Sequence, residues 1–360
     1  MSSILVLLML LSLATVASRR GGFAALLAST LPAFAAGLVT GPQALAYLST
    51  SMTTGLASAT ATGLCWLGLL FGWRASRGGL RPRATVRGAL VVVIVAALVV
   101  IAQVIGVRFG LEVTTAANRV AVGLVAAAIL LPFSTSDDDN GDSRGLDLVV
   151  VVTMCAAFGL LAGFAVVVVA AGIFALAVLA GISALLVGGH DPNRRFPAIL
   201  SATALVTGLA WAVDVHIGVV GVGIGIGLAL LDRPRTLDGL LEATRGPVAL
   251  VVAFLVGAVV PLSATAAIFG AVLGVVVLAV VVATSADNGP TTTLLDTAIQ
   301  RAASSTTGLL LFGGLLLANH GAVVSDVVTG AIGSALVVID GAAVTAVLVK
   351  RGTAHVRKAS

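Results

Sequence analysis

The chain has 360 residues, of which 59% are hydrophobic and only 10% are charged, and its mean hydropathy is +1.16. A soluble domain is about 25% charged, so this composition excludes an ordinary soluble fold and makes lipid the solvent for much of the surface. The formal charge of +5 does not indicate nucleic-acid binding, because the basic residues are scattered through short loops without an aromatic-interleaved basic face.

The apolar residues form nearly continuous runs, such as Leu90–Ile105, which favours transmembrane helices over the alternating strands of a barrel. We therefore expect an all-α, polytopic membrane helical bundle, with a single transmembrane domain over residues 1–350 and a short cytoplasmic tail over residues 351–360. The thirteen predicted helices cover approximately 3–18, 22–40, 54–73, 88–107, 115–133, 147–165, 167–188, 196–213, 216–231, 246–262, 264–284, 305–323 and 326–349. The ninth and tenth are short for a bilayer core, which needs about 20 residues.

The basic residues predict the orientation. With the N-terminus outside, the inside loops and the C-terminal tail hold eighteen of the twenty Lys and Arg residues, whereas the outside loops hold only Arg108. The remaining one, Arg119, falls within the fifth segment. The positive-inside rule then predicts a multi-pass protein of the inner or plasma membrane, with the N-terminus outside and the C-terminus cytoplasmic. Because Arg19 follows the first apolar segment instead of preceding it, we expect a retained helix and not a cleaved signal peptide.

A glycine run at Gly218–Gly227 could be mistaken for a dinucleotide-binding loop, but it lies within an apolar segment. Its overlapping pairs Gly221/Gly225 and Gly223/Gly227 predict close packing between helices. The acidic loop around Asp137–Asp142 lacks the spacing of a calcium site, so we expect a solvated loop. No nucleophile or metal-ligand cluster gathers in any loop, so we expect no enzyme, no cofactor and no metal site.

Several glycine-containing stretches lie within or next to the apolar segments. They are Ala36–Leu45, Gly63–Gly72, Ile217–Leu231 with Asp238–Glu242, Pro247–Gly257, and Arg301–Gly341. Together they resemble the monovalent cation–proton antiporter superfamily, whose membrane domain is the sodium/hydrogen exchanger fold. The resemblance implies inverted repeats, alternating access in a lipid bilayer, a small ion (Na⁺, K⁺ or H⁺) as the transported species, and a homodimer.

The same resemblance implies two helices that are broken near the midplane and cross beside the ion site. The candidate breaks are Thr114-Thr115-Ala-Ala-Asn118 in the fifth segment and Ser304–Gly308, with Thr306 and Thr307, in the twelfth. Hydroxyl groups there could satisfy the freed backbone groups. Both Thr pairs also fit ordinary helix starts, where such side chains cap the first turn.

The chain lacks the ionisable residues on which the superfamily's transport chemistry depends. The superfamily carries one or two acids in the middle of its sixth helix, but the matching stretch Val152–Gly159 has none, and the nearest acid is Asp147 at the inside end. The basic partner of the eleventh helix is also missing, because Ala264–Thr284 contains no Lys or Arg. The sequence thus resembles the fold without its usual proton-exchange groups.

Three ionisable residues at membrane depth are further candidates for the transport site, because burying charge in lipid is costly. Arg119 either fills the cation position of the site, or extends to the outer interface, or pairs with Glu112. Asp340, in the middle of the last segment, is either a proton- or cation-binding carboxylate or a hydrogen-bonded helix contact. His320 is either an interfacial histidine or a pH-sensing one.

Three functions fit these observations. The first is a secondary transporter that resembles sodium(cation)/proton antiporters. The second is a non-transporting membrane module that keeps the fold for assembly or regulation. The third is an unrelated permease whose Gly, Ala and Val bias imitates the superfamily.

Overall fold

The described helices are apolar over nearly their whole length, and several of them end shortly before a proline in the sequence, as at Pro42, Pro234 and Pro261. Proline cannot continue a helix, because it lacks the backbone donor and clashes with the preceding turn. The computed structural model describes residues 30–76, 164–189, 191–213, 215–231, 237–261, 263–285 and 326–338, together with residues 104, 107, 108, 313 and 342. Within these residues all regular secondary structure is helical and no strand occurs.

Eight helices make up the described part of the chain. They are α1 (Thr30–Thr40), α2 (Thr50–Ala75), α3 (Phe164–Gly188), α4 (Pro192–Ala212), α5 (Ile217–Leu231), α6 (Asp238–Val259), α7 (Ala264–Ser285) and α8 (Asp326–Val338). Parts of four of them, α2, α3, α4 and α6, are long and apolar enough to cross a membrane. This confirms the all-α class for the described residues and indicates a membrane protein.

Several helices begin earlier than the hydropathy pattern predicts, and two of them thereby include arginines that were expected in loops. α4 starts at Pro192 and α6 at Asp238, whereas the predicted segments begin at residues 196 and 246. Arg194, Arg195 and Arg245 therefore lie in helices and not in loops. α6 also continues through Pro247, which is the second residue of the tenth predicted segment. Helices can retain an internal proline when neighbouring groups satisfy the freed carbonyl oxygens.

The short helix α5 lies between α2, α3 and α4 and contacts all three. Its glycines form two faces. A Cβ atom at Gly221 or Gly225 would overlap backbone atoms of α2, and one at Gly223 or Gly227 would overlap or press against α3. The prediction of close helix packing is thereby confirmed. Because these glycines lie within a buried helix, the run is not a nucleotide-binding loop.

The neighbouring helices supply glycines of their own to these contacts. On α2, a Cβ at Gly68 would overlap Gly218 of α5, and one at Gly72 would overlap Val222. On α3, Gly181 lies against Ile224 in the same way. With no side chain between them, the helix backbones approach closely enough for extensive van der Waals contact, which is the main source of helix association where lipid removes the hydrophobic drive.

The register of these contacts gives the helix directions. Residue numbers rise together along the α2/α5 and α3/α5 contacts, so α2, α3 and α5 run parallel. α6 runs opposite to α2, because Gly63 faces Val252 while Trp66, further along α2, bonds Thr244. α4 folds back on α3 through a connection of three residues. α7 and α8 run parallel, with Gly270 and Gly274 of α7 against successive turns of α8.

Helix α1 and the first turns of α8 complete the described packing. α1 crosses α6, where Gly37 lies against Phe254 and Gly257 lies against Phe34. The first turns of α8 pack on the segment after α6, since a Cβ at Gly330 would overlap the carbonyl oxygen of Pro261. The glycines of the stretch resembling an antiporter helix end, Gly37 and Gly41, therefore serve as helix contacts with α6.

Candidate functional site

The residues that the sequence singles out as transport-site candidates all lie outside the described residues. They are Thr114, Thr115, Asn118, Arg119, Asp147, Thr306, Thr307, His320 and Asp340. The two candidate helix breaks and the acid-free stretch at residues 152–159 are also outside them. Their roles therefore stay predictions, and the polar groups that the structure does bring together are different ones.

A charged cluster joins the end of α2 to the beginning of α6. Arg74, in the last turn of α2, forms an ion pair with Glu242, and Arg245 lies 3.8 Å from the same carboxylate. A cation near a helix C-terminus and an anion near a helix N-terminus each interact favourably with the helix dipole. The Glu242 side chain remains 55% exposed, so solvent weakens this attraction.

An aromatic and hydroxyl contact lies beside the charged cluster. The Trp66 indole nitrogen donates to Thr244 Oγ1 at 2.9 Å, and the same hydroxyl donates to the Leu241 carbonyl oxygen at 2.8 Å. The Trp66 ring also meets Phe196 of α4 edge-on, with ring centroids 5.9 Å apart. Trp66 thus touches α4 and α6 at once. We call Arg74, Glu242, Arg245, Trp66 and Thr244 the α2–α6 clasp.

A second polar contact lies inside the bundle, between α2 and α4. The buried side chains of Cys65 and Thr207 lie close to each other. Thr207 donates its hydroxyl proton to the Thr203 carbonyl oxygen at 2.7 Å, and Thr203 donates to the Ile199 carbonyl oxygen at 2.8 Å. Both threonine hydroxyl protons are therefore donated within α4. To an ion, this contact could present only uncharged hydroxyl oxygens as acceptors.

Arginine is the one charged residue type among the buried side chains that the structure describes. Arg195 is 9% exposed, and its Nε donates to the Gly189 carbonyl oxygen at 2.5 Å. Gly189 follows the last turn of α3 with φ +56°, the left-handed conformation that commonly ends a helix. Arg195 therefore binds the end of the preceding helix and fixes the α3–α4 turn.

The described residues offer no metal site. They contain no group of three His, Cys, Asp or Glu side chains that could hold an ion. The other buried polar side chains among them are threonines and one serine. Several of these donate to a carbonyl oxygen of their own helix, as Thr60 does to Leu56 and Ser334 does to Gly330. Uncharged oxygen atoms could line a path for an ion, but they could not carry a proton as a carboxylate does.

The role of Glu242 was not predicted. Arg74 and Arg245 were expected only as charges of inside loops, and Glu242 as part of a polar loop. One signal was present, because Glu242 and Arg245 stand three residues apart and such a pair meets on one face of a helix. The pairing with Arg74 could not be read from spacing, since these residues are far apart in the chain.

A scan against protein-family models finds no match for this chain, and a search of curated proteins finds no relative. Any assignment of function therefore depends on the residues and the helix packing described above.

Proposed function

We propose that the chain is a secondary transporter with a sodium/hydrogen exchanger-like fold that moves a small ion by alternating access. The direction of the helices supports the membrane topology on which this proposal depends. α2, α3 and α5 correspond to the third, seventh and ninth predicted helices, and they run parallel. α4 and α6, the eighth and tenth, run the opposite way, and α7 and α8, the eleventh and thirteenth, are parallel to each other. A chain that crosses the bilayer at every predicted segment requires this alternation.

In the proposed arrangement, thirteen helices place the N-terminus outside and the C-terminus in the cytoplasm of a cell with a plasma or inner membrane. The broken helices at Thr114–Asn118 and Ser304–Gly308 cross at the site, as inverted repeats would bring them together. In this proposal Arg119 lies beside the first break, where its fixed positive charge would favour an anion or lock the site. The α2–α6 clasp closes the cytoplasmic end of the α2/α6 contact.

One observation favours a second function, that of a non-transporting membrane module with the same fold. Among the residues that the structure describes, no Asp or Glu is buried. The buried hydroxyls of Thr60, Thr203 and Thr207 donate within their own helices. A helix bundle without a buried carboxylate can serve assembly or regulation, because those roles need packing and no proton exchange.

Ion flux into liposomes separates the two functions. Purified protein is reconstituted, and the movement of Na⁺, K⁺ and Cl⁻ against a pH gradient is followed with ion-selective dyes. The transporter proposal predicts flux of at least one of these ions that empty liposomes do not show. Absence of flux for all three ions, with folded protein in the membrane, contradicts exchange and leaves the non-transporting module.

The same assay tests the predicted position of Arg119. We expect Arg119→Ala to change the flux rate or the ion preference, because the substitution removes a charge from the site. The matched control is Arg108→Ala, which removes an exposed arginine that the sequence analysis assigns to an outside loop. If both variants transport like the unmodified protein, Arg119 is an interfacial residue.

A further inference from the structure

The connection between α1 and α2 is an ordered turn that presents apolar side chains outward. We call residues 41–49 the α1–α2 turn. Leu45 is 59% exposed and Tyr47 is 77% exposed. Tyr47 is the only tyrosine in the chain. Such exposure of two large side chains, two positions apart in one short turn, requires an explanation.

The backbone holds this turn in place at both of its ends. The amide nitrogens of Leu45 and Leu48 donate to the carbonyl oxygens of Val39 and Thr40, each at 3.0 Å. Ala46 N donates to the Gly41 carbonyl oxygen at 3.0 Å. At the other end, Ser49 caps α2 by accepting a hydrogen bond from Met52 N. The turn is therefore a fixed part of the fold and not a loop that could fold its apolar residues inward.

Backbone strain supports the same conclusion. Ala46, between the two exposed residues, has φ +53°. A non-glycine residue in this left-handed region costs roughly 1–2 kcal/mol, and it persists only where the surrounding structure determines it. Leu48 is 7% exposed and fixes the turn to the bundle, while Leu45 and Tyr47 stay outside.

The absence of charged residues around the turn indicates what covers the exposed side chains. No charged residue occurs anywhere from Thr30 to Trp73, which comprises α1, the turn and nearly all of α2. The turn directly precedes the membrane-crossing part of α2, Thr50–Arg74. It therefore lies where the chain passes from water to lipid. A tyrosine suits this boundary, because its ring is apolar and its hydroxyl is polar.

We propose that the α1–α2 turn anchors the protein in the interfacial layer of the bilayer. Leu45 and the ring of Tyr47 insert at the boundary between headgroups and acyl chains, and the Tyr47 hydroxyl lies among the headgroups. The inference depends on α2 crossing the membrane and is independent of transport, so failure of the flux experiment would leave it intact.

The test places a tryptophan at the turn and asks which quencher reaches it. Tyr47→Trp is reconstituted in vesicles of a neutral phosphatidylcholine, and fluorescence is compared with that of the unmodified protein. The native Trp66 and Trp73 are buried and Trp211 is half-buried, so they contribute a background that can be subtracted. Lipids brominated close to the headgroup should quench the added fluorescence about twofold more than lipids brominated deep in the chain, and aqueous iodide should quench it weakly.

Two other results would overturn the proposal. Strong quenching by iodide without quenching by brominated lipid would place the turn in water. Protection from both quenchers would mean that another part of this chain or a second copy covers it. Arg194→Trp is the control, because Arg194 has a 79% exposed side chain and should respond to iodide. If Tyr47→Trp does not fold, Leu45→Trp provides the same measurement from the same turn.

Discussion

Individual glycines differ sharply in what surrounds them, even where they stand in similar apolar helices. At Gly225 a Cβ would overlap the carbonyl oxygen of Leu69 and come within 2.6 Å of Trp73 N. At Gly208 on α4 the added atom would meet nothing within 4 Å among the described residues. Gly225 lies between two isoleucines and Gly208 between Thr207 and Leu209, and neither set of neighbours shows what packs against the glycine. The difference arises from which helix lies opposite.

This contrast predicts opposite outcomes for the same substitution. Gly225→Ala should destabilise the protein by about 1–3 kcal/mol, because the new methyl group forces α5 away from α2. Gly208→Ala should be neutral or slightly stabilising, because alanine is the better helix former. The fraction of folded protein after heating in detergent, followed by size-exclusion chromatography, compares the two. Equal losses in both variants would contradict the assigned α2/α5 contact.

Thr244 matters through the hydrogen bond that it accepts from Trp66. Thr244→Val keeps the volume but leaves the indole donor of a 5% exposed tryptophan without this acceptor, which we expect to cost about 1–3 kcal/mol. Thr62→Val is the control, because the Thr62 hydroxyl is exposed and donates only to Ser58 of its own helix. Unfolding in denaturing detergent measures both, and Trp66 fluorescence should change only with Thr244→Val.

At the scale of helices, hydropathy predicts where an apolar helix lies but not where a helix with charged residues begins. The middles of α3 and α7 could be predicted to within a few residues, because hydropathy alone determines them. The starts of α4 and α6 could not, because charged residues there were assigned to loops. Arginine is a good helix former and can extend its charged end into water from a helix. The prediction therefore ended each segment where charge began, whereas the helix continues.

The turn between α3 and α4 gives a prediction about helix ends. Gly189→Ala should cost about 1–2 kcal/mol, because a Cβ disfavours the left-handed conformation at this residue. Nothing in the described residues lies within 4 Å of the added atom, so the cost comes from the backbone and not from a clash. Thermal stability in detergent provides the measurement. An unchanged midpoint would show that Gly189 does not hold this conformation in the membrane.

The α2–α6 clasp predicts a coupling between two helices. Arg74→Glu and Glu242→Arg should each lower stability, and the double variant should recover part of the loss because the pair is restored with its charges exchanged. Recovery should be incomplete, since Arg245 would then face a like charge. With Glu242 more than half exposed, the coupling should be about 1 kcal/mol or less. A double-mutant cycle measures it, and a coupling of zero would remove Arg74 from the clasp.

For the whole molecule, the apolar character of the described helices could be predicted from the sequence, but their packing partners could not. The pairs Gly221/Gly225 and Gly223/Gly227 predict close packing without showing that the first faces α2 and the second faces α3. A glycine has no side chain that could specify its partner. Glu242 and Arg74 likewise meet only because α2 and α6 run antiparallel. The transport-site candidates, such as Arg119 and Asp340, lie outside the described residues and stay predictions.

The direction of the helices makes a prediction about sidedness. Gln43 precedes α2 and Arg194 follows α3, and these two helices run parallel, so the two residues should lie on opposite sides of the membrane. We expect a membrane-impermeant maleimide to label Gln43→Cys in intact cells and to label Arg194→Cys only after the cells are opened. Cys65 is fully buried and should not react. Labelling of both positions from one side would contradict the proposed topology.

The length of α5 has an electrical consequence. Its 15 residues rise about 22 Å, whereas the hydrocarbon layer is about 30 Å thick. α5 packs against the longer helices α2, α3 and α4, so in the proposed topology its polar end around His216 would lie below the level of the surrounding headgroups. In that topology a membrane voltage would fall over a shorter insulating path along α5 than through neighbouring lipid, and the ratio of the two thicknesses makes the local field stronger by about a third. A charge moving beside this helix would respond to voltage more steeply per ångström than one moving elsewhere in the protein.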